Sequence, residues 1–174
     1  MVRYADDFVI LCRTPEEASR ALDLVATWVR ENGLTLHPTK TKVVDVRIDG
    51  FDFLGYHFRD IRHWPRDKST AKLKDAIRAK TKRTNGHSSH TIITSLNRTL
   101  RGWFTYFQQS RPWIFGVLDR WIRGRLRSIL RKRHKGRGRG RGQDHIRWPN
   151  AFFAEQGLFS LAKAHALARQ PSLR

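Results

Sequence analysis

The sequence predicts an α+β chain: a β-hairpin, one helix and short antiparallel strands first, then a strongly basic helical bundle. Three observations carry that expectation. Short apolar stretches near residues 2–11 and alternating aromatics at 51–58 read as strands. From residue 73 to residue 130, apolar residues recur at i, i+3 and i+4, the stripe of a helix that faces a core. Charge divides the same way. Residues 1–60 hold ten acids and eight bases, a net of −2, whereas residues 61–174 hold 27 bases and five acids, a net of +22.

The hairpin comes first. In Tyr4-Ala5-Asp6-Asp7 and its flanks, Val2 and Tyr4 lie on one side of the acid pair and Phe8 to Leu11 on the other, so two buried strands are expected to meet at a very short loop. Two adjacent carboxylates at its tip repel, and each raises the other's pKa. In an exposed turn they stay hydrated. Between buried strands they call for a hard cation such as Mg²⁺, which takes carboxylate oxygens and leaves positions open for phosphate. Thr14 then offers an N-cap, Pro15 suits the first helical position and Glu17 completes a capping box. Ala18, Ala21, Leu22, Val25, Trp28 and Val29 form a stripe expected to be core, and Gly33 ends the helix. Val43, Val44 and Val46 read as strand. So does Phe51 to Phe58, with Gly55 marking a bulge or a close backbone approach.

Beyond residue 60 three helices are expected. One runs from about Ser69 to Thr84 with Leu73, Ala76 and Ile77 on one side. A second starts at Ser89 or His90 and carries Ile93, Leu96, Leu100, Trp103, Phe104 and Phe107. A third starts at Ser110 or Pro112 and carries Ile114, Val117, Leu118, Trp121, Ile122, Leu126 and Ile129. Their stripes fit one shared core. Arg120, Arg123, Arg125, Arg127, Arg131, Lys132 and Arg133 occupy the other faces of the third. Lys135 to Gly142 alternates glycine with like charge, which neither packs nor holds a helix, so 135–147 is expected to be a disordered loop. A short helix from Ala151, broken at Gly157, and a last helix capped by Ser160 close the chain, taking in residues 148–174.

A net charge of +20 needs a polyanion as partner. No apolar run approaches the roughly 20 residues of a membrane span, so nucleic acid is favoured over membrane. Cys12 is the single cysteine, which excludes disulfides and fits a cytoplasmic location.

Two resemblances then add to the reading. Arg3-Tyr4-Ala5-Asp6-Asp7-Phe8-Val9-Ile10-Leu11 resembles the metal-binding hairpin of reverse transcriptases, above all those encoded by group II introns. The resemblance implies that residues 1–60 are the C-terminal part of a polymerase palm. It also implies that Asp6 is a Mg²⁺ ligand and that Asp7 is the second, more peripheral acid. Asn32 to Thr41 resembles the next motif of that family, which places Lys40 near the incoming nucleotide as an acid for the leaving pyrophosphate. Phe53-Leu54-Gly55-Tyr56 resembles the primer grip. Leu100-Arg101-Gly102-Trp103-Phe104-Thr105-Tyr106-Phe107 and Leu118 to Leu126 resemble the maturase-specific domain, which includes the thumb and grips intron RNA. Residues 61–134 are then the thumb and maturase bundle, with 148–174 its end.

The residues expected to contact RNA are Arg101, Arg120, Arg123, Arg125, Arg127, Arg131, Lys132, Arg133, Arg137, Arg139 and Arg141. Trp103, Phe104, Tyr106, Phe107 and Trp121 are expected in the core. Gly102, in mid-helix, costs about 1 kcal/mol of propensity against alanine, so something is expected to pack closely on it.

In the family, fingers and the front of the palm precede the hairpin and supply another metal-binding aspartate. Asp45, Asp49 and Asp52 do not replace it. The expectation is that this chain alone does not extend a primer, that it cuts no DNA, and that a separate chain can supply the fingers and front palm. Structured group II intron RNA is the expected partner, with DNA as a further one. The competing reading is a non-catalytic, non-specific basic nucleic-acid-binding protein in which the Asp pair has no role.

Overall fold

A computed structural model describes residues 1–170. The chain is α+β and divides into two compact units, Met1–Arg62 and His63–Arg174.

The first unit opens with an antiparallel hairpin, β1 (Val2–Tyr4) and β2 (Asp7–Val9), paired Val2↔Val9, Arg3↔Phe8 and Tyr4↔Asp7. Ala5 turns the chain at φ 52°, and Arg3 Nε donates to its carbonyl at 2.8 Å. The strands are not buried as expected: Val2, Tyr4 and Phe8 are exposed. A two-stranded ribbon has no layer of its own to cover either face. Helix α1 (Pro15–Glu31) starts where its capping residues place it, with Thr14 Oγ1 accepting from the Glu17 amide at 3.2 Å. Glu17 reaches back to the Arg13 amide at 2.9 Å, one residue beyond the expected capping box. Gly33, at φ 69°, follows the helix. The stripe on α1 is half-buried at Ala18, Ala21, Leu22, Val25 and Val29, and no residue of the helix is fully buried.

Residues 43–46 form no strand. Asp45 folds an Asx turn there instead: its Oδ1 accepts from the Arg47 amide at 2.8 Å, and its carbonyl from the Asp49 amide at 2.9 Å. A second hairpin follows, β3 (Phe51–Phe53) and β4 (Tyr56–Arg59). Leu54 (φ 47°) and Gly55 (φ 81°) make its turn, both in the left-handed region as a type I′ turn requires. Gly55 therefore belongs to the turn and is no bulge. Phe51 stacks on its cross-strand partner Phe58 at 5.2 Å. Strand β5 (Arg62–Pro65) follows where the first unit gives way to the second.

The second unit holds the hydrophobic core. It contains α2 (Asp67–Lys80), α3 (Ser89–Phe107), α4 (Pro112–Arg133), α5 (Gln143–Arg147), α6 (Asn150–Glu155) and α7 (Leu161–Ala168). Leu73 and Ile77 of α2, Ile92, Ile93, Leu96, Leu100 and Phe104 of α3, and Ile114, Phe115, Leu118, Ile122, Leu126 and Ile129 of α4 bury one shared cluster. Trp148, Phe153 and Leu161 close it. Fully burying each such side chain stabilises by roughly 1.5–3 kcal/mol, so this unit has its own reason to fold. Ser88 caps α3 through the Thr91 amide at 3.1 Å, one residue before the expected start. Where a loop was expected, Gln143–Arg147 forms a short helix, and Gly136 to Gly142 runs back along α4.

Candidate nucleic-acid interface

Asp6 sits in the turn between β1 and β2, and Asp7 begins β2; both are exposed. Their oxygens are of the type Mg²⁺ prefers. Among the described residues, however, no three His, Cys, Asp or Glu side chains converge to hold a metal. Asp6 and Asp7 are the two acids this hairpin would offer to such an ion. Lys40 is exposed in a separate turn of the same unit. Phe53, Leu54, Gly55 and Tyr56 are half-buried around the tip of the second hairpin. Just before it, Gly50 (φ 69°) is buried, and a Cβ there would lie 2.4 Å from the Phe58 carbonyl oxygen. Asp52 Oδ1 meets His57 Nδ1 at 2.7 Å across the strands.

The eleven cations expected to meet RNA separate into two groups. The first is hydrogen-bonded within the protein or, for Arg123, half-buried in it. Arg127 is 3% exposed. It donates through Nε to the Trp148 carbonyl and through Nη2 to Asn150 Oδ1, both at 2.9 Å, and its guanidinium lies 5.1 Å over Phe153. Burial, then neighbouring Arg123, lowers its pKa. It holds the segment before α6 against α4, and its expected RNA contact is not available in this fold.

Arg125 donates to Thr81 Oγ1 at 2.5 Å and to the Thr81 carbonyl at 3.0 Å, closing the C-terminal end of α2. Its guanidinium also lies over Trp121, 5.5 Å away. Arg131 pairs with Asp144 at 2.7 Å and donates to the Arg137 carbonyl at 2.7 Å. Arg133 donates to Ser89 Oγ and to the carbonyls of Asn85 and His87, holding the turn before α3. Arg123 is half-buried, and its Nε is buried with no partner.

The second group faces water: Arg101, Arg120, Lys132, Arg137, Arg139 and Arg141 are exposed. Arg101 also rests over Phe159 at 4.6 Å. Three of the unit's five acids are consumed internally. Asp75 pairs with Arg78, Asp144 with Arg131, and Asp119 binds the start of α7. Asp144 is held below its usual carboxylate range, chiefly by the Arg141 amide and then by Arg131. The outward cations are left largely without counter-charge, which is the condition for a field that gathers phosphates.

The aromatics divide as well. Phe104 and Phe107 are buried, Trp103 and Trp121 half-buried, and Tyr106 is exposed. Gly102 departs from expectation. It is exposed, and a Cβ there meets nothing within 4 Å. Among the described residues, no side chain from elsewhere in the chain packs on it.

Sequence reasoning missed Asp119. Its position between Phe115, Leu118 and Ile122 of the apolar stripe was the available signal: an acid in that register must find buried donors. It also missed Lys82 and Arg83, which lie in the turn after α2 and line a concave surface. Among the described residues no helix is long and apolar enough to cross a membrane.

Residues 70–148 match the family model of the group II intron maturase-specific domain, and residues 1–58 match that of reverse transcriptase (RNA-dependent DNA polymerase). Between them the two matches take in most of the chain, in the order the motifs suggest. A comparison with curated proteins finds no match.

Proposed function

We propose that this chain, which belongs to the group II intron reverse transcriptase/maturase family, binds structured intron RNA through its cationic helical unit and so assists splicing and mobility. In this reading residues 1–60 are the end of a polymerase palm and 61–134 are thumb and maturase bundle. Residues 135–147 are a Gly/Arg-rich connection, and 148–174 complete the maturase domain. Asp6 and Asp7 are the acids this segment brings to a Mg²⁺ site, and Phe53 to Tyr56 the turn it brings to a primer. The work takes place in a reducing cytoplasm, to which the free thiol of Cys12 is suited.

The observation that carries the proposal is the sorting of the cations. Arg125, Arg127, Arg131 and Arg133 build the unit, while Arg101, Arg120, Lys132, Arg137, Arg139 and Arg141 are left facing out. RNA duplexes hide base edges in a deep, narrow groove, so discrimination must come from shape and backbone placement. A rigid bundle with a fixed set of outward cations supplies that.

The test is equilibrium binding to a group II intron RNA and to an unrelated folded RNA of equal length, from about 50 to about 200 mM salt. We expect affinity to fall steeply with salt and the intron RNA to win the competition. A salt-independent response refutes phosphate contact. Equal competition by the unrelated RNA favours the non-specific basic binder.

A further inference from the structure

Between the turn after α2 and the last turn of α4 lies an open depression of about 490 Å³, lined by Lys82, Arg83, Thr84, Lys132, Gly136, Arg137 and Gly138. Resting on the RNA-binding reading, we propose that this cleft is a built seat for the phosphodiester backbone of RNA. Lys82, Arg83, Lys132 and Arg137 are its phosphate-contacting cations.

The Gly-Arg segment is what makes the seat. Its alternation has a period of two, and the fold uses both halves of it. Gly136 and Gly140 are pressed against α4. A Cβ on Gly136 would lie 2.6 Å from Arg131 Cγ, and one on Gly140 would lie 2.7 Å from Arg127 Cβ. Gly138 turns at φ 79°, where a side chain is disfavoured. Three hydrogen bonds fix the path: Arg131 Nε to the Arg137 carbonyl (2.7 Å), Arg83 Nη1 to the Gly138 carbonyl (3.0 Å), and the Gly140 amide to Ser128 Oγ (3.1 Å). The intervening Arg137, Arg139 and Arg141 are thereby held outward.

The charges point to an anion. No carboxylate lines the cleft. Beside it, Arg78, Arg83 and Arg139 all stand close enough to Arg125 to disfavour its positive charge, after burial itself. Such crowding of like charge is relieved by a polyanion.

One effect opposes this. The C-terminal ends of α2 and α4 border the cleft, and helix C-termini repel anions. Those ends are already covered. Arg125 takes the Thr81 carbonyl, His134 Nδ1 lies 2.9 Å from that of Leu130, and the Gly136 amide takes that of Arg131 at 2.8 Å. The cleft's own four cations, of which Arg83 gives one N–H to Gly138, therefore decide the sign. Glycines in the lining let a polymer backbone approach closely, and no apolar side chain is present to hold a base or a hydrophobic residue.

The experiment compares salt dependence of binding to one labelled, folded RNA. The cleft variant is Lys82→Ala/Arg83→Ala/Lys132→Ala/Arg137→Ala. The control, equal in net charge, is Arg13→Ala/Arg20→Ala/Arg30→Ala/Lys42→Ala, all exposed in the first unit. Each phosphate contact contributes about 0.7–0.9 to the slope of log affinity against log salt, so the cleft variant should lose about 3 and the control far less. Gly140→Val keeps every charge but pushes the segment off α4, and should also weaken binding. The swap Lys82→Arg/Arg83→Lys/Lys132→Arg/Arg137→Lys should bind near wild type. Equal slope losses in cleft variant and control overturn the seat, as does equal competition by polyglutamate of matched charge. A wild-type chain with a flat salt response sinks the RNA-binding reading itself, a separate outcome from loss of the seat alone.

Discussion

Asp119→Ala is expected to be among the most damaging single substitutions in the second unit, although it touches no outward surface. Asp119 is 4% exposed. Its Oδ1 accepts from the Leu161 amide at 3.0 Å, and its Oδ2 from the Ala162 amide at 3.1 Å and from Ser160 Oγ at 2.7 Å. Leu161 and Ala162 are the first two residues of α7, and Ser160 itself accepts from the Lys163 amide at 3.2 Å. Between them Asp119 and Ser160 satisfy the three leading amides of α7, and the carboxylate sits at the positive end of the helix. Removing the acceptor strands two amides, one of them on fully buried Leu161. Each buried donor left unmade costs about 1–3 kcal/mol. The sum, allowing for water entry at Ala162, is about 3 kcal/mol. For a unit of this size that corresponds to roughly 10 °C in Tm. Asp119→Asn keeps one acceptor and should lose about half as much. Urea unfolding monitored by circular dichroism measures both. A loss under about 1 kcal/mol for Asp119→Ala would show that α7 is held by its apolar face alone, and the capping argument would fail.

Four further outcomes follow from the same structure. His165 is 4% exposed, lies 4.7 Å from the Phe115 ring, and has its Nε2 buried without a partner. Burial, then Arg169, lowers its pKa from 6.5, so the fold favours the neutral ring. The stability this confers is complete above the unfolded value and is lost as pH falls below it; Tm should drop from pH 7 to pH 5, and His165→Phe should flatten that drop. Gly102→Ala should stabilise by about 0.5–1 kcal/mol, because the added methyl meets nothing and helix propensity improves; a lower Tm would contradict the open geometry. Arg127→Lys should cost about 2–3 kcal/mol, since one ammonium cannot span Trp148 and Asn150 and stack on Phe153. Arg120→Ala should do the opposite, leaving urea stability unchanged while weakening RNA binding.

Helices with a stripe and a cap were legible. Thr14, Ser160 and the apolar positions of α3 and α4 announce their elements, because capping and periodicity are local in sequence. Burial in the first unit was not. Val2, Tyr4 and Trp28 are as apolar as any core residue, yet they are exposed, because a pattern states which face prefers burial and is silent on what covers it. Val43, Val44 and Val46 read as strand, but Asp45 between them accepts two local amides and wins the backbone for a turn. Mid-helix Gly102 suggested a close neighbour, whereas the structure leaves it open.

The arginines show most clearly where sequence reading stops. Arg120 and Arg127 lie seven residues apart on one helix, in the same composition. One is exposed and the other spans a carbonyl and a side-chain amide 21 and 23 residues downstream. Guanidinium suits both tasks, since its planar fork binds carbonyl and phosphate oxygens alike. A chain rich in arginine can therefore build its bundle and its outward cationic surface from one residue type, and only tertiary neighbours assign each copy. Where the neighbour is a carbonyl, as for Arg125, Arg127, Arg131 and Arg133, the side chain is already engaged within the protein. Where it is water, the cation remains to be paired. This division also explains the alternation in 135–142. Gly136 and Gly140 let the main chain lie on α4 and bond to Arg131 and Ser128, Gly138 turns it at positive φ, and the arginines between are exposed. In this fold the segment's composition specifies a surface track and not merely a solvated tether.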